Sequence, residues 1–179
     1  MIIYKDIVTG DEIISDTYEL IDKDDAVYEV NCKMVTRGGE SFDIGANPSA
    51  EEADEGTDDN VQQVIDVVDG FRLNYLGDEQ SKTPAFPTKK DYMGQLKTYM
   101  KKVVAKLKEG GADEEKVKAF QTGAQNYYTK HIAPNFKDFE FYTGESMDPD
   151  GMVMLLNYRE DGVTPYLTIW KGGLTEMKV

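Results

Sequence analysis

The chain has little of the chemistry that catalytic and metal sites use. Its 179 residues include one cysteine, Cys32, and one histidine, His131. A single cysteine excludes an intrachain disulfide and suits a reducing cytosol, and one cysteine with one histidine cannot supply the ligands that zinc needs. Cys32 falls among the predicted early strands without a basic pair nearby in sequence, and His131 falls on the apolar stripe of a predicted helix. We therefore expect a protein that is not an enzyme and holds neither zinc nor another tightly bound cofactor.

Long apolar runs and net positive charge are also missing. No run approaches the ~20 apolar residues of a membrane-spanning helix, and Asp6 interrupts the start of the chain, where a secretory signal needs an apolar core. These absences predict a cytoplasmic protein without a membrane span. The formal net charge of -14 argues against nucleic acid as a partner, because phosphate would be repelled. It favours basic protein surfaces or cations, with solubility alone as the alternative.

What is present is ordered as strands, then helices, then strands. β-Branched and aromatic runs between turn residues predict early strands at 2–4, 17–21, 27–30 and 33–36. The run 61–75 predicts another, with residues 64–68 in the sheet core, and the end of the chain predicts strands at 139–142, 152–158 and 165–170. This segregation predicts a single α+β domain over residues 1–179.

The middle of the chain, about residues 88–134, has helical periodicity. Thr88 is placed as an N-cap, apolar residues then repeat on one helix face, and Gly110 with Gly111 ends the pattern. A second apolar stripe follows and stops before Pro134. Two stripes joined by a short glycine-containing turn predict an antiparallel helical hairpin.

A row of lysines accompanies the first of these helices. Between residues 89 and 109 seven lysines face two acids, an excess that stands out in an acidic chain. At about 100° per residue, four of them share the face nearly opposite the apolar stripe; they are Lys90, Lys97, Lys101 and Lys108. A basic helix face suits an acidic partner, such as the acidic tails of tubulin. The alternative is an ordinary solvated face.

A cluster of acids lies between the early strands and the helices. Residues 51–59 carry six acids with no base between them. Apolar content is too low to offset the entropy of ordering, so about residues 46–60 are predicted to form a mobile loop. Its carboxylates would bind calcium weakly, since a mobile loop is not preorganised. A solvated loop is the alternative; the candidate ligands are Glu51, Glu52, Asp54 and Glu55.

Several segments of the chain carry a family resemblance. Residues 141–162, FYTGESMDPDGMVMLLNYREDG, read locally as a β-hairpin whose turn contains Pro149, Asp150 and Gly151. Taken over its whole length, this segment resembles the carboxy-terminal signature of the translationally controlled tumour protein family. Residues 44–52, IGANPSAEE, resemble that family's amino-terminal signature, and residues 1–6 and 163–166 fit it too. The resemblance therefore spans the whole chain.

The resemblance implies a fold and a set of partners. The fold would be a curved tent of β-sheets with a projecting helical hairpin, similar to small proteins that bind nucleotide-free Rab-type GTPases. The function would be that of a non-enzymatic cytosolic regulator that binds small GTPases or translation elongation factors and modulates nucleotide exchange. Microtubule association and weak calcium binding are implied as well. Glu12, in the run 11–16, matches a glutamate that is assigned to GTPase contact in the family.

The resemblance has one departure and leaves two other functions open. Family members often end in a cysteine that has been linked to disulfide dimers, whereas this chain ends in Val179, so a monomer is expected. The first alternative function is a calcium buffer, which requires sites tighter than micromolar. The second is a repair reductase of the tent fold, which requires a reactive cysteine in a cleft, and Cys32 offers little for that chemistry.

Overall fold

The computed structural model describes residues 1–37 and 62–179. The part before the long helices consists of β1 (Ile2–Asp6), β2 (Glu12–Ser15), β3 (Ile21–Lys23), β4 (Val27–Asn31), β5 (Met34–Arg37), β6 (Gln62–Ile65), the short helix α1 (Asp66–Gly70), β7 (Asn74–Tyr75), β8 (Gly77–Asp78) and β9 (Thr83–Pro84). The long helices are α2 (Lys89–Glu109) and α3 (Glu114–Tyr127). The chain then forms β10 (Glu140–Thr143), β11 (Met154–Tyr158), β12 (Pro165–Trp170) and β13 (Leu174–Lys178).

The strands pair antiparallel in two main sheets. A six-stranded sheet has the order β3-β4-β12-β11-β10-β7, and a three-stranded sheet has the order β13-β1-β2. The pairs β5-β6 and β8-β9 form two-stranded ribbons. Antiparallel sheets with the long helices kept together in the middle of the sequence are the α+β arrangement that the order of elements predicts. The predicted fold class is confirmed.

The predicted hairpin in residues 141–162 is present. β10 pairs with β11 so that Phe141 lies opposite Leu155, and β11 pairs with β12 so that Leu156 lies opposite Leu167. β11 is an inner strand of the six-stranded sheet, and residues 154–156 are at most 1% exposed. A strand that is covered on both faces reads as a continuous apolar run, which is the pattern at this place.

The helical hairpin begins and turns where its sequence predicts, but helical turns continue to Asp138, past the end predicted before Pro134. Thr88 Oγ1 accepts a hydrogen bond from the Asp91 backbone N–H at 3.2 Å, which satisfies one of the free donors at the start of α2. After α2, Gly111 adopts a φ of 82°, in the left-handed region that glycine reaches at low cost. α3 follows Asp113 and continues through π-helical and 3-10 turns that contain Pro134.

Aromatic side chains connect the long helices to the six-stranded sheet. Tyr92 and Tyr99 of α2, Tyr127 of α3 and Trp170 of β12 are at most 1% exposed. The rings of Tyr92 and Phe141 stack with their centroids 5.4 Å apart. Large aromatic side chains dominate the free energy of burial in a core. The inner face of the helical hairpin is therefore fixed on the sheet, and its outer face is left to solvent.

The strand predicted for residues 17–21 is wrong for most of its length. Ser15 Oγ and Thr17 Oγ1 are 2.6 Å apart, and the Tyr18 N–H donates to the Ser15 carbonyl at 3.3 Å, so the chain turns here. Hydroxyl side chains that bond locally compete with strand pairing. The strand at this place is β2, which lies before the turn and is absent from the sequence prediction.

The strand predicted for residues 61–75 is interrupted by α1. Asp66 Oδ1 accepts hydrogen bonds from the Val67 N–H at 2.8 Å and from the Lys33 N–H at 3.0 Å. A carboxylate that binds nearby backbone donors stabilises a turn even within a β-branched run. Val67 is buried, as predicted for the core, but it lies on a helix and not on a strand.

Candidate interaction surfaces

Glu12 lies on the surface at the beginning of an edge strand. Its side chain is exposed, whereas the next three residues of β2 are buried. The residue opposite it on β1 is Lys5, beside an irregularity in the strand register. Within the described residues, the Glu12 carboxylate forms neither a hydrogen bond nor an ion pair. The carboxylate is therefore available to a partner.

Asp11 joins this corner of the sheet to the loop between β10 and β11. Its Oδ2 accepts hydrogen bonds from the Ser146 hydroxyl at 2.6 Å and from the Ser146 N–H at 3.3 Å. A Cβ added at Gly144 would lie 2.5 Å from the same carboxylate oxygen, so the close approach requires glycine. The Asp11 N–H also donates to Thr9 Oγ1 at 3.1 Å. These contacts restrain the backbone beside Glu12.

Asp6 is a buried acceptor that the sequence reasoning missed. The residue is 3% exposed. Its Oδ1 accepts from the Val8 N–H at 2.9 Å and from the Tyr99 hydroxyl at 3.0 Å, and its Oδ2 accepts from Thr9 Oγ1 at 3.2 Å and from the Met152 N–H at 2.7 Å. Burial, followed by the negative charge of Asp6, raises the pKa of the Tyr99 phenol well above its usual value. The sequence signal that could have indicated this buried acceptor is the position of Asp6, which ends an apolar strand and comes shortly before Thr9 and Gly10.

A second buried carboxylate, Glu29 of β4, supports the face of the six-stranded sheet. Its Oε1 accepts from Arg159 Nη1 at 2.7 Å and its Oε2 accepts from the Tyr127 hydroxyl at 2.7 Å. The Arg159 guanidinium also donates to Asn31 Oδ1 at 2.7 Å and lies 3.9 Å from the centroid of the Tyr166 ring. A buried carboxylate requires such partners, so these residues hold the sheet together.

The four candidate lysines of α2 lie on its surface. Lys90, Lys97, Lys101 and Lys108 are exposed, and within the described residues none of them forms an ion pair. Lys102, by contrast, pairs with Asp150 at 2.8 Å.

The apolar face of α2 extends to the lysine row. Met93, Met100 and Val104 are half-buried and lie directly beside the lysines. Together with α3 they form a groove of about 660 Å³, which Lys97 and Lys101 also line. The prediction that these two lysines lie nearly opposite the apolar surface is therefore corrected, because the apolar surface extends to their side of the helix.

Cys32 and His131 lie apart from these surfaces. Cys32 is 2% exposed, and its thiol donates to the Val30 carbonyl at 3.4 Å. Burial, followed by the negative charge of Asp66, raises the pKa of the thiol to about 12. The His131 ring lies 4.7 Å from the ring of Tyr127. The buried thiol is not placed to act as a nucleophile. His131 is exposed, with its Nε2 3.9 Å from Asp24 Oδ2, so the expectation that it lies on the apolar stripe of the helix is corrected.

Two further sequence predictions concern metal ions and membranes. Across residues 1–37 and 62–179, no three His, Cys, Asp or Glu side chains group into a metal site. The loop predicted at about 46–60 lies outside the described residues, as do the candidate calcium ligands Glu51, Glu52, Asp54 and Glu55. No helix in the described part of the chain has the length and apolar character needed to cross a bilayer.

Comparison with known proteins assigns a family to this fold. The model of the family described as "Translationally controlled tumour protein" matches residues 1–175 of this chain. A translationally-controlled tumor protein homolog of Alternaria alternata is 59% identical over 179 residues, and the homolog of Saccharomyces cerevisiae is 50% identical; both alignments cover each chain completely. The solved structure of the translationally controlled tumor-associated protein p23fyp from Schizosaccharomyces pombe is similar with a TM-score of 0.75 and 46% identity, and both chains are fully covered. The solved structure of the translationally-controlled tumor protein from Caenorhabditis elegans is similar with a TM-score of 0.66 and 32% identity. The match covers 100% of this chain and 99% of the other.

Proposed function

Because the chain belongs to the translationally controlled tumour protein family, we propose that it is a non-enzymatic regulatory protein whose surface around Glu12 binds a small GTPase or a translation elongation factor. The observation that carries the proposal is the environment of Glu12. The residue is exposed, it has no partner within the described residues, and it begins an edge strand whose next three residues are buried. Binding at this surface modulates nucleotide exchange on the partner.

The physical argument for this surface is a charge held in a restrained position. The hydrogen bonds of Asp11 and the buried residues after Glu12 limit the conformations of this segment, so less entropy is lost when a partner binds. A lysine or arginine of the partner then pairs with the Glu12 carboxylate, and the exclusion of water strengthens the pair. The net charge of -14 attracts a basic surface from a longer distance.

A pull-down from cytosol tests the proposal. The folded chain is immobilised, and extract is applied either stripped of nucleotide or loaded with GDP or a non-hydrolysable GTP analogue. Mass spectrometry is expected to find a small GTPase or an elongation factor that is enriched in one nucleotide state. The Glu12→Gln chain is the matched control, since it keeps the size of the side chain and removes its charge. Recovery of the same proteins by both chains would contradict the assignment of Glu12.

Microtubules are a second candidate partner. The observation that favours them is the lysine row, Lys90, Lys97, Lys101 and Lys108, which is exposed and without ion pairs in the described part of the chain. Acidic tubulin tails would be attracted to this face over several ångströms, and salt would weaken the association. Co-sedimentation with microtubules over a series of salt concentrations tests this proposal.

The remaining functions differ in how far the described residues bear on them. Weak calcium binding and a calcium-buffer function stay predictions, because their candidate ligands lie outside the described residues. A repair reductase is disfavoured, since burial and a raised pKa keep the Cys32 thiol protonated and out of reach. The same burial prevents Cys32 from replacing a terminal cysteine in a disulfide dimer. A monomer in the cytoplasm is the state that we propose.

A further inference from the structure

The groove between α2 and α3 has an apolar floor on the outer side of the helical hairpin. Met93, Met100 and Val104 of α2 line it from one side, and Ala124 and Tyr128 from the other. Its volume is about 660 Å³. From Met93 to Val104, a rise of 1.5 Å per residue gives a floor about 16 Å long, which matches about three turns of a helix.

The two rims of the groove differ in charge. Lys97 and Lys101 form the rim on α2, and Gln121 and Gln125 form the rim on α3. Both lysines are exposed, and neither has an ion pair within the described residues, so the α2 rim carries positive charge. Neutral amides on the opposite rim provide hydrogen-bond donors and acceptors without favouring either charge. The groove therefore discriminates between ligands by charge along one side.

We propose that this groove binds an amphipathic helix with an acidic flank, supplied by a partner protein. Apolar residues at i, i+3, i+4 and i+7 of the incoming helix contact the methionines and Tyr128, in the mode by which helices lie in apolar grooves. Methionine side chains adapt to different apolar shapes, which suits a groove that receives a helix from outside. The acidic flank of the incoming helix pairs with Lys97 and Lys101, and this pairing fixes which way round the helix lies.

This occupant differs from an extended acidic tail in what it needs. An extended tail requires the lysines alone, whereas an amphipathic helix requires the lysines and the apolar floor. The groove lies on the helical hairpin and Glu12 lies on the sheet, so the inference goes beyond the GTPase proposal and does not depend on it. The Glu12→Gln chain should bind the helical ligand as the parent chain does.

Synthetic peptides of about 18 residues, or five helical turns, test the proposal. One peptide has leucines along one face and glutamates along its flank, a second has the same composition in scrambled order, and a third is polyglutamate. Fluorescence anisotropy is expected to show that the amphipathic peptide binds at least about tenfold more tightly than the scrambled one. Circular dichroism should show that it becomes helical on binding. Equal affinity for the first two peptides would overturn the proposal.

Substitutions in the floor and the rim separate the two modes of binding. Met100→Lys adds a positive charge and removes part of the apolar floor. It should therefore weaken binding of the amphipathic peptide about tenfold and strengthen binding of polyglutamate. Lys97→Glu should weaken both. Lys106→Glu is the matched control, because this exposed lysine lies nine positions from Lys97, about 180° around the helix, and it should change affinity by less than about twofold.

Thermal unfolding verifies that each variant is folded, and Met93→Gln is a second floor variant should Met100→Lys not fold. Tighter binding of the amphipathic peptide by Met100→Lys would show that charge alone determines binding at this site, and it would overturn the proposal. Unchanged binding by Met93→Gln would do the same.

Discussion

Three acids near the start of the chain have different environments, and the environments decide their roles. Asp6 is buried and accepts four hydrogen bonds. Asp11 binds Ser146 across a distance of 135 positions in the sequence. Glu12 is exposed and has no partner in the described part of the chain. The sequence does not distinguish the three side chains. Only the fold shows that Asp6 and Asp11 form structural contacts and that Glu12 is exposed.

Asp6→Asn is expected to lower the free energy of unfolding by about 2 kcal/mol. An amide replaces one carboxylate oxygen with a donor, so backbone and hydroxyl donors that face Asp6 lose an acceptor in a buried place. Urea unfolding measures the effect. Glu12→Gln makes the same chemical change on the surface and should leave stability nearly unchanged. Equal unfolding midpoints for Asp6→Asn and the parent chain would refute the prediction.

Glu12→Val is expected to weaken binding to a nucleotide-free small GTPase by about 2 kcal/mol or more, the level of an interface hot spot. Folding should be nearly unaffected, because the side chain is exposed and no core contact is lost. Equilibrium binding measures the effect, with circular dichroism as the control for folding. Equal affinity of the variant and the parent chain, with the fold intact, would show that this glutamate does not contact the partner.

The Cys32 thiol gives a prediction about pH. Its pKa is about 12 in the folded chain, whereas the pKa of an unfolded cysteine is about 8.5. A raised pKa means that the stabilising contribution is complete below about pH 8.5 and is lost as the pH rises toward 12. The free energy of unfolding of the parent chain should therefore fall, relative to that of Cys32→Val, between about pH 8 and pH 10. A constant difference would contradict the assigned burial.

At the scale of the elements, the sequence predicted what local patterns determine. α2 was predictable because its cap, apolar period and terminal glycine all agree. β2 and β13 were not predictable, because each is a short edge strand that is defined by pairing with β1. The 17–21 run has strand composition, yet the hydroxyl contact between Ser15 and Thr17 turns the chain there.

The candidate surfaces also depend partly on local sequence patterns and partly on contacts between elements. The sequence identified the lysine row, since a helical period places Lys97 and Lys101 on one face. It could not place them beside a groove, because the far wall of that groove is supplied by Gln121 and Gln125 of α3. The surface therefore depends on how the two helices pack, which the period of either helix alone does not determine.

Lys97→Glu combined with Lys101→Glu is expected to weaken co-sedimentation with microtubules. The double change replaces two exposed positive charges with negative ones, which repel acidic tubulin tails. Thermal stability should change by about 0.5 kcal/mol or less, since both residues are exposed. Unaltered sedimentation at low salt would remove the lysine row as the binding surface.

At the scale of the whole molecule, the two candidate surfaces have opposite charge and lie on elements that are joined by a buried hydrogen bond. Glu12 lies on the three-stranded sheet and is suited to a basic partner, and the lysine row on α2 is suited to an acidic one. The Tyr99 hydroxyl of α2 donates to Asp6 at the end of β1, in that sheet. This buried hydrogen bond therefore helps to hold the helix that carries the lysines against the sheet that carries Glu12.

The last prediction is that removal of metal ions leaves the whole fold intact. A structural metal contributes to folding when soft or carboxylate ligands surround it, yet the single cysteine donates its thiol to the Val30 carbonyl and the single histidine packs beside Tyr127. The described residues are joined instead by one large apolar core that includes Trp170, Tyr92 and Phe141. A chelator should therefore shift the melting temperature by no more than a few degrees, measured by calorimetry with and without EDTA. Calcium bound weakly by the acids of residues 51–59 would add little stability at low concentration, because binding stabilises only when the ligand exceeds its dissociation constant. A large fall in melting temperature, restored by added metal, would show that a metal site outside the described residues holds the fold together.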